Sequence, residues 1–149
     1  MNIRLATLKD VPTLLAFGEL MLDEAQNLPS KFNRATGEMH IKHCIHGDDV
    51  CAFVADSHDG VIGVFLGGIA EEWFTGDSIA FDYVLYVLPE YRNSNIGKEL
   101  VTIFTEWAKG NGADRIVVGT TTGVQTSKTV RMYESLGFKN LGQLLGRGV

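Results

Sequence analysis

The chain has 149 residues, 45% hydrophobic and 21% charged, a profile that predicts one soluble globular domain over residues 1–149. Its 13 Lys and Arg against 18 Asp and Glu give a net charge of −5, which argues against general nucleic-acid binding because that requires a basic face. The sequence has no apolar run near the roughly 20 residues that span a bilayer, no secretory signal pattern and only two cysteines, so we predict no membrane partner and a reducing, cytoplasmic location.

The first third of the chain predicts one strand and two helices. Residues 1–6 alternate apolar and polar side chains, which indicates a strand. Asp10 is placed to cap a helix, and Pro12 then falls in the first turn, where its missing N–H costs nothing. A loop is predicted over 26–37, followed by a short helix over 39–45.

The middle of the chain predicts three strands and a helix. Strands over 51–55 and 61–69 are joined by a turn sequence at 57–60. A long strand follows over 79–88. The clearest helix of the chain covers 98–111, where apolar side chains recur on one face.

The C-terminal part predicts a buried strand over 115–119 and a last helix that begins at Thr126 or Ser127 and ends near Leu136. One or two weak closing strands are expected over 138–145. The whole order predicts a mixed α/β domain with a central, mostly antiparallel sheet flanked by about four helices.

The segment 84–98 is the most informative part of the sequence. An apolar strand runs into Pro89, a short polar loop follows, and the helix opens directly after it. A helix begins with backbone N–H groups that have no partner inside the helix, and it carries about half a positive charge at that end. The segment therefore predicts a site for a phosphate-bearing ligand.

This segment and the element order resemble the GNAT superfamily of N-acyltransferases. The loop of that family reads Arg/Gln-x-x-Gly-x-Gly/Ala, and here Arg92, Asn95 and Gly97 hold the three marked positions. Asn95 replaces the first glycine; Asn is the non-glycine residue that best tolerates a left-handed backbone. The stretch 133–138, Tyr-Glu-Ser-Leu-Gly-Phe, is the second point of resemblance.

The resemblance implies acetyl-CoA, or another acyl-CoA, as donor. We therefore predict an N-acetyltransferase that transfers the acetyl group of acetyl-CoA to a primary amine by direct attack. The resemblance places the pantetheine arm of the donor along Leu85, Tyr86 and Val87. Thr126 stands where the family often has an Asn that contacts the cofactor; as a helix cap it would be equally well explained. The pyrophosphate of the donor would lie on the backbone of Arg92, Asn93, Ser94, Asn95, Ile96, Gly97 and Lys98.

Acyl transfer to an amine requires a proton donor for the leaving thiolate and a group that takes the proton of the amine. The resemblance implies that Tyr133 protonates the thiolate; the alternative is that its ring only packs on the core. Asp82, which strict alternation puts on the same face as Val84 and Tyr86, is one candidate base, and Glu72 is another. A solvated surface carboxylate is the simpler explanation for each, and a water relay could replace a dedicated base.

Two other readings of the sequence are open to test. His40, His43 and His46 surround Cys44, but the run lacks the spacing of the helical zinc motif, so an amphipathic helix explains it better and we predict no metal. The departures at Asn95 and Thr126 suit a catalytically inactive acyl-CoA-binding or regulatory module.

The loop after Arg92 is not a P-loop, because Glu99 follows Gly97 and Lys98 where a hydroxyl is required. Trp73 and Phe74 beside a predicted turn suggest either a homodimer interface or a wall of the acceptor site.

Overall fold

The computed structural model describes residues 1–27 and 31–149, and these contain five strands and four α-helices. The strands are β1 (Asn2–Leu5), β2 (Val50–Ser57), β3 (Gly60–Glu71), β4 (Ser78–Val87) and β5 (Arg115–Val117). The helices are α1 (Val11–Glu24), α2 (Arg34–His46), α3 (Ile96–Gly110) and α4 (Thr126–Ser135).

The strands form a single mixed sheet in the order β1-β2-β3-β4-β5. Successive strands from β1 to β4 are antiparallel, whereas β5 runs parallel to β4 and pairs with it only at residues 79–81. The parallel connection from β4 to β5 carries α3, as parallel pairing requires a crossover. The predicted mixed α/β architecture is confirmed.

Apolar side chains are buried on both faces of the sheet. Helices α1 and α2 cover one face, and α3 and α4 cover the other. On the second face Phe65 stacks on Phe104 of α3, with ring centroids 4.2 Å apart. Gly67 makes this close approach possible, because a Cβ there would lie 2.7 Å from the Phe104 ring and 2.8 Å from the Phe81 carbonyl oxygen.

The structure corrects two sequence predictions about the helices. Helix α2 begins at Arg34, so the predicted loop 26–37 is too long; residues 28–30 of that loop lie outside the described part. The cause is Asn33, whose side-chain oxygen accepts from the Thr36 N–H at 3.0 Å and caps the helix. Asp10 does stand at the cap position of α1, but its carboxylate accepts from Arg4 and from the Thr7 N–H instead.

The predicted closing strands over 138–145 are wrong for the part of the chain that the structure describes. After α4 the chain has no strand pairing, and its apolar side chains Leu141, Leu144 and Leu145 are exposed. Strand β5 is also shorter than predicted and ends at Val117. A short apolar run specifies a strand only when an edge is there to pair with it, and that information is not local.

Candidate active site

A cleft opens where β4 and β5 separate. Their pairing ends at Phe81 and Val117, so β4 from Asp82 onward has no strand beside it on that side among the described residues. The cleft has a volume of about 720 Å³ and is bounded by this bare edge, the start of α3, the segment 119–125 and α4. Such a strand edge offers backbone N–H and C=O groups to an extended ligand.

A β-bulge in β4 sets which side chains face which layer. Leu66 of β3 pairs with Val84 and Gly67 pairs with Asp82, so Tyr83 is the extra residue. Ala80 packs in the α3/α4 layer, whereas Val84 and Tyr86 pack in the α1/α2 layer. Asp82, two residues after Ala80, therefore lies on the α3/α4 side, and the prediction that it shares a face with Val84 and Tyr86 is wrong.

The bulge brings Asp82 to the same end of the cleft as Tyr133 of α4. Burial raises the pKa of Asp82 to about 6, and the N–H of Gly119, which donates to its carboxylate at 3.2 Å, partly offsets this rise. The carboxylate is thus ionised at neutral pH, yet its pKa is close enough to neutrality for it to accept and release a proton.

Tyr133 has a phenol that is free to donate a hydrogen bond. The residue is 4% exposed, and its hydroxyl is buried without a hydrogen-bond partner in the described structure. Burial raises its pKa, and the nearby Asp82 carboxylate raises it further, so the phenol is protonated at neutral pH. Its ring also packs edge-on against Phe138, with centroids 5.2 Å apart.

The N-terminus of α3 closes the other end of the cleft. Asn95 is the N-cap residue, and its side chain makes no capping hydrogen bond. Ser94, Asn95, Gly97 and Lys98 all line the cleft, whereas the side chain of Ile96 is buried in the core. Asn95 has φ −82°, so its backbone is not left-handed and the replacement of glycine needs no left-handed tolerance here.

Arg92 holds the loop in place through its side chain. Its guanidinium donates to both carboxylate oxygens of Glu24 at 2.6 and 2.8 Å, and its Nε donates to the Val87 carbonyl at 2.8 Å. The Tyr86 hydroxyl donates to the same Glu24 carboxylate at 2.9 Å, and the guanidinium lies 5.2 Å from the Tyr86 ring centroid. The Arg92 N–H itself donates to the Pro89 carbonyl at 3.3 Å. Arg92 thus ties the loop to β4 and α1.

Some of the remaining predicted cofactor residues line the cleft and others do not. Leu85, Tyr86 and Val87 line the cleft. Asn93 lies beside α4, where its side chain accepts from Lys128 Nζ at 3.3 Å. Thr126 is the first residue of α4 and is exposed; the cleft is lined at this point by Gln125 instead.

The structure places Glu72 away from the cleft. Its carboxylate accepts from the N–H groups of Phe74 and Thr75 at 3.1 and 2.8 Å, in the turn between β3 and β4. The hydrogen bond with Thr75 lowers its pKa, so this acid is held ionised in a turn. We therefore do not carry Glu72 forward as a base.

Sequence reasoning missed four residues that line the cleft. Lys128 and Arg131 lie three residues apart on α4 and thus share one helix face, a spacing that could have been read from the sequence. Glu24 ends α1 and gives no sequence signal of its pairing with Arg92. Gln125 has φ 48°, the one left-handed non-glycine backbone among the described residues, and the sequence does not indicate it.

The structure also bears on the histidine cluster, the two cysteines and the absence of an apolar run in the sequence. Within residues 1–27 and 31–149 no three His, Cys, Asp or Glu side chains are grouped so that they could hold a metal ion. Both cysteines, Cys44 and Cys51, are buried free thiols. No helix in the described ranges is both long and apolar enough to cross a membrane.

Comparison with known proteins gives one family. A sequence model of the acetyltransferase (GNAT) family matches residues 17–138. N-acetyltransferase 8 of Homo sapiens is 29% identical over 93 residues, which are 62% of this chain and only 40% of that protein.

Solved structures agree on the fold. The aminoglycoside 6'-N-acetyltransferase AAC(6')-IG from Acinetobacter haemolyticus has a TM-score of 0.76 at 18% identity, with 100% of this chain and 98% of that chain covered. The aminoglycoside N-acetyltransferase AAC(6')-Iy in complex with CoA has a TM-score of 0.80 at 14% identity, with 99% and 93% covered. The resemblance predicted from the sequence is confirmed.

Proposed function

The chain belongs to the acetyltransferase (GNAT) family, and we propose that it transfers the acetyl group of acetyl-CoA to a primary amine by direct attack. The observation that carries this proposal is the cleft itself. One opening joins the bare edge of β4, the N-terminus of α3, the free phenol of Tyr133 and the Asp82 carboxylate.

The donor would lie along β4 with its phosphates at α3. The pantetheine amides would pair with the bare backbone edge of β4 near Leu85 and Val87, as an added strand does. The pyrophosphate oxygens would accept hydrogen bonds from the N–H groups of Gly97 and Lys98. These groups lie in the first turn of α3 and have no partner within the helix. Arg92 would position the loop rather than contact phosphate, because its guanidinium is already paired with Glu24.

The chemistry uses both groups at the end of the cleft. The amine nitrogen forms a bond to the thioester carbon, and the carbonyl electron pair moves to oxygen, where a free N–H of the β4 edge would stabilise it. Asp82 takes the proton of the amine, directly or through a water. The C–S bond then breaks, and the Tyr133 hydroxyl gives its proton to the thiolate; the proton on Asp82 returns to the phenolate, so that both groups are restored.

Two broader predictions also stay proposals. The buried free thiols of Cys44 and Cys51 support a reducing, cytoplasmic setting. Trp73 and Phe74 are 93% and 92% exposed at the turn between β3 and β4, and this patch supports a homodimer.

The donor seat is tested with two glycines of the same helix. A Cβ on Gly97 or on Gly110 would meet no atom within 4 Å in the described structure, so both Gly97→Glu and Gly110→Glu should fold. Only at Gly97 would the new carboxylate stand where the pyrophosphate approaches, and the two negative charges would repel each other. We expect calorimetry to show a dissociation constant for acetyl-CoA at least tenfold higher in Gly97→Glu and unchanged in Gly110→Glu.

Turnover is tested by the release of free CoA thiol in the presence of amines. Thiol release that depends on the amine supports the transferase. Tight binding of acetyl-CoA without thiol release from any amine would favour the alternative, an inactive acyl-CoA-binding or regulatory module. Equal binding by the two glycine variants would overturn the proposed seat.

A further inference from the structure

The side chains that line the cleft carry more positive than negative charge. The four basic side chains are those of Arg92, Lys98, Lys128 and Arg131. The two acids are Glu24 and Asp82. This balance is opposite to that of the whole chain, whose net charge is −5. A cleft concentrates ligands of the opposite charge, so this one favours an anion over a cation.

Glu24, the acid on the α1 side of the cleft, is already paired with a basic side chain. Both oxygens of Glu24 accept from the Arg92 guanidinium, and one also accepts from the Tyr86 hydroxyl. The guanidinium lowers the pKa of Glu24, and the pair contributes no net charge. An ammonium group at Glu24 would have to compete with this bidentate guanidinium, which is only 17% exposed, for a carboxylate that already accepts three hydrogen bonds. Asp82 is thus the acid of the cleft that is not held in an ion pair.

The basic side chains lie on the donor side. Lys98 belongs to the first turn of α3, and Lys128 and Arg131 belong to α4. The phosphates of acetyl-CoA would neutralise them there. The amine would enter from the α1 side, opposite these basic groups. Apart from the Glu24–Arg92 pair, the described residues that line this side are Met21, Tyr83 and the three threonines 120–122, whose side chains are apolar or neutral.

We propose that the acceptor is a monoamine whose remainder is uncharged and partly apolar, rather than a polyamine or another polycation. This inference rests on the proposed acetyl transfer. Asp82 serves the one reacting amine, and a second ammonium group on the acceptor would find Glu24 occupied and the donor side positive. The two aminoglycoside acetyltransferases of known structure share only 14% and 18% identity with this chain, so their likeness shows the fold and not the acceptor.

The test compares 6-amino-1-hexanol with 1,6-diaminohexane in the thiol-release assay. The two amines have the same length and the same reacting group, and they differ in whether the far end is a hydroxyl or a second ammonium. We expect kcat/KM per amino group to be at least fivefold higher for the amino alcohol. Equal or higher kcat/KM for the diamine would overturn the inference and leave the transferase standing. Failure of every amine to release thiol from bound acetyl-CoA would overturn both.

A second arm adds the missing charge. Thr121 is exposed on the α1 side of the cleft, so Thr121→Asp places a carboxylate there and Thr121→Asn is the neutral control of the same shape. We expect Thr121→Asp to raise kcat/KM for the diamine relative to the amino alcohol by about fivefold, the effect of an exposed ion pair. We expect Thr121→Asn to leave the ratio unchanged. A diamine preference already present in the wild type and insensitive to Thr121→Asp would contradict the inference.

Discussion

At the scale of single residues, Tyr133 combines a cost to stability with a use in catalysis. A buried hydroxyl without a partner loses its hydrogen bonds to water and gains none in the folded protein. The ring needs its position for packing against Phe138, but the oxygen does not contribute to that packing. An unpaired group of this kind is explained most simply by a partner that arrives with the substrate.

Tyr133→Phe separates the two effects. We expect the free energy of unfolding to rise by about 1 kcal/mol, because an unpaired buried hydroxyl is removed. We expect kcat to fall by about 100-fold or more, since the general acid is lost. The dissociation constant of acetyl-CoA should change by less than about twofold. Thermal melts, thiol-release kinetics and calorimetry check the three values, and unchanged kcat would contradict the acid role.

Asp82 gives the reaction a pH dependence. Burial raises the pKa of Asp82 to about 6, above the ordinary aspartate value of 3.8, so the folded state binds the proton more tightly than the unfolded chain does. We expect kcat/KM, calculated on the concentration of the neutral amine, to rise with pH through about 6 as the carboxylate ionises. Asp82→Asn should lower kcat/KM by at least tenfold and remove this rise. A wild-type profile that is flat from pH 5 to 7 would exclude Asp82 as the base.

The raised pKa of Asp82 also affects stability: stability falls over the pH range in which activity rises. Because burial disfavours the carboxylate, the ionised form destabilises the folded state as the pH rises from about 4 to above 6. Asp82→Asn keeps an oxygen that can accept from the Gly119 N–H and carries no charge. We expect the variant to be more stable than the wild type at pH 8 and the difference to vanish below pH 4. Urea unfolding at both pH values measures this.

The sequence predicts both residues as site candidates but not that they lie at the same end of the cleft. The family resemblance predicts Tyr133, and the position on an apolar strand predicts Asp82. Strict alternation then assigned Asp82 to the wrong layer, because the bulge at Tyr83 shifts the register by one residue. The bulge depends on the pairing with β3, so a strand read alone does not reveal it.

At the scale of elements, the pair of Glu24 and Arg92 connects the end of α1 to the loop before α3. The pair is partly buried, with side-chain exposures of 28% and 17%, and its hydrogen bonds are bidentate. Just after α1, the Gln26 N–H donates to the carbonyl of Thr122, which lines the cleft, at 2.9 Å. The end of α1 therefore contacts both the segment 119–125 and the loop before α3.

Glu24→Gln tests the Glu24–Arg92 pair. Gln keeps one acceptor oxygen but loses the charge and the bidentate geometry, so we expect the loop to be held less firmly. The KM for acetyl-CoA should rise about fivefold while kcat at saturating donor changes little. Glu19→Gln is the matched control, because Glu19 is on the same helix and is 52% exposed, 4.0 Å from Arg34. A lower melting temperature without a change in KM would show that the pair is only structural.

The order of the elements was predictable because it rests on local signals. The apolar face of α3 and the alternation in β2 and β3 are visible in the sequence, and each of these elements was found. The Asn33 cap of α2 was also visible but was assigned to a loop. The partner of Glu24 was not predictable, since 68 positions separate it from Arg92 and only the fold brings the two together.

At the scale of the whole molecule, the cleft is the gap between β4 and β5, which separate after residues 79–81 of β4. Strand β5 is attached to β4 over only three residue pairs, and α4 continues from β5 on the far side of the gap. A ligand that lies along β4 and contacts α3 and α4 would join the two sides. Binding to the folded state alone stabilises it by about 2.7 kcal/mol at a ligand concentration 100 times the dissociation constant.

We therefore expect acetyl-CoA at that concentration to raise the melting temperature by roughly 5 to 10 °C for a chain of this size. Hydrogen exchange should slow most in β5, in the segment 119–125 and in the first turn of α3, because these parts border the gap. Tyr133→Phe should keep the full thermal shift, since its phenol serves the chemistry and not the seat of the donor. Gly97→Glu, in which the new carboxylate repels the pyrophosphate, should show a much smaller shift at the same concentration. A thermal shift of equal size in wild type and Gly97→Glu, or protection spread evenly over the sheet, would mean that the donor binds elsewhere than across the gap.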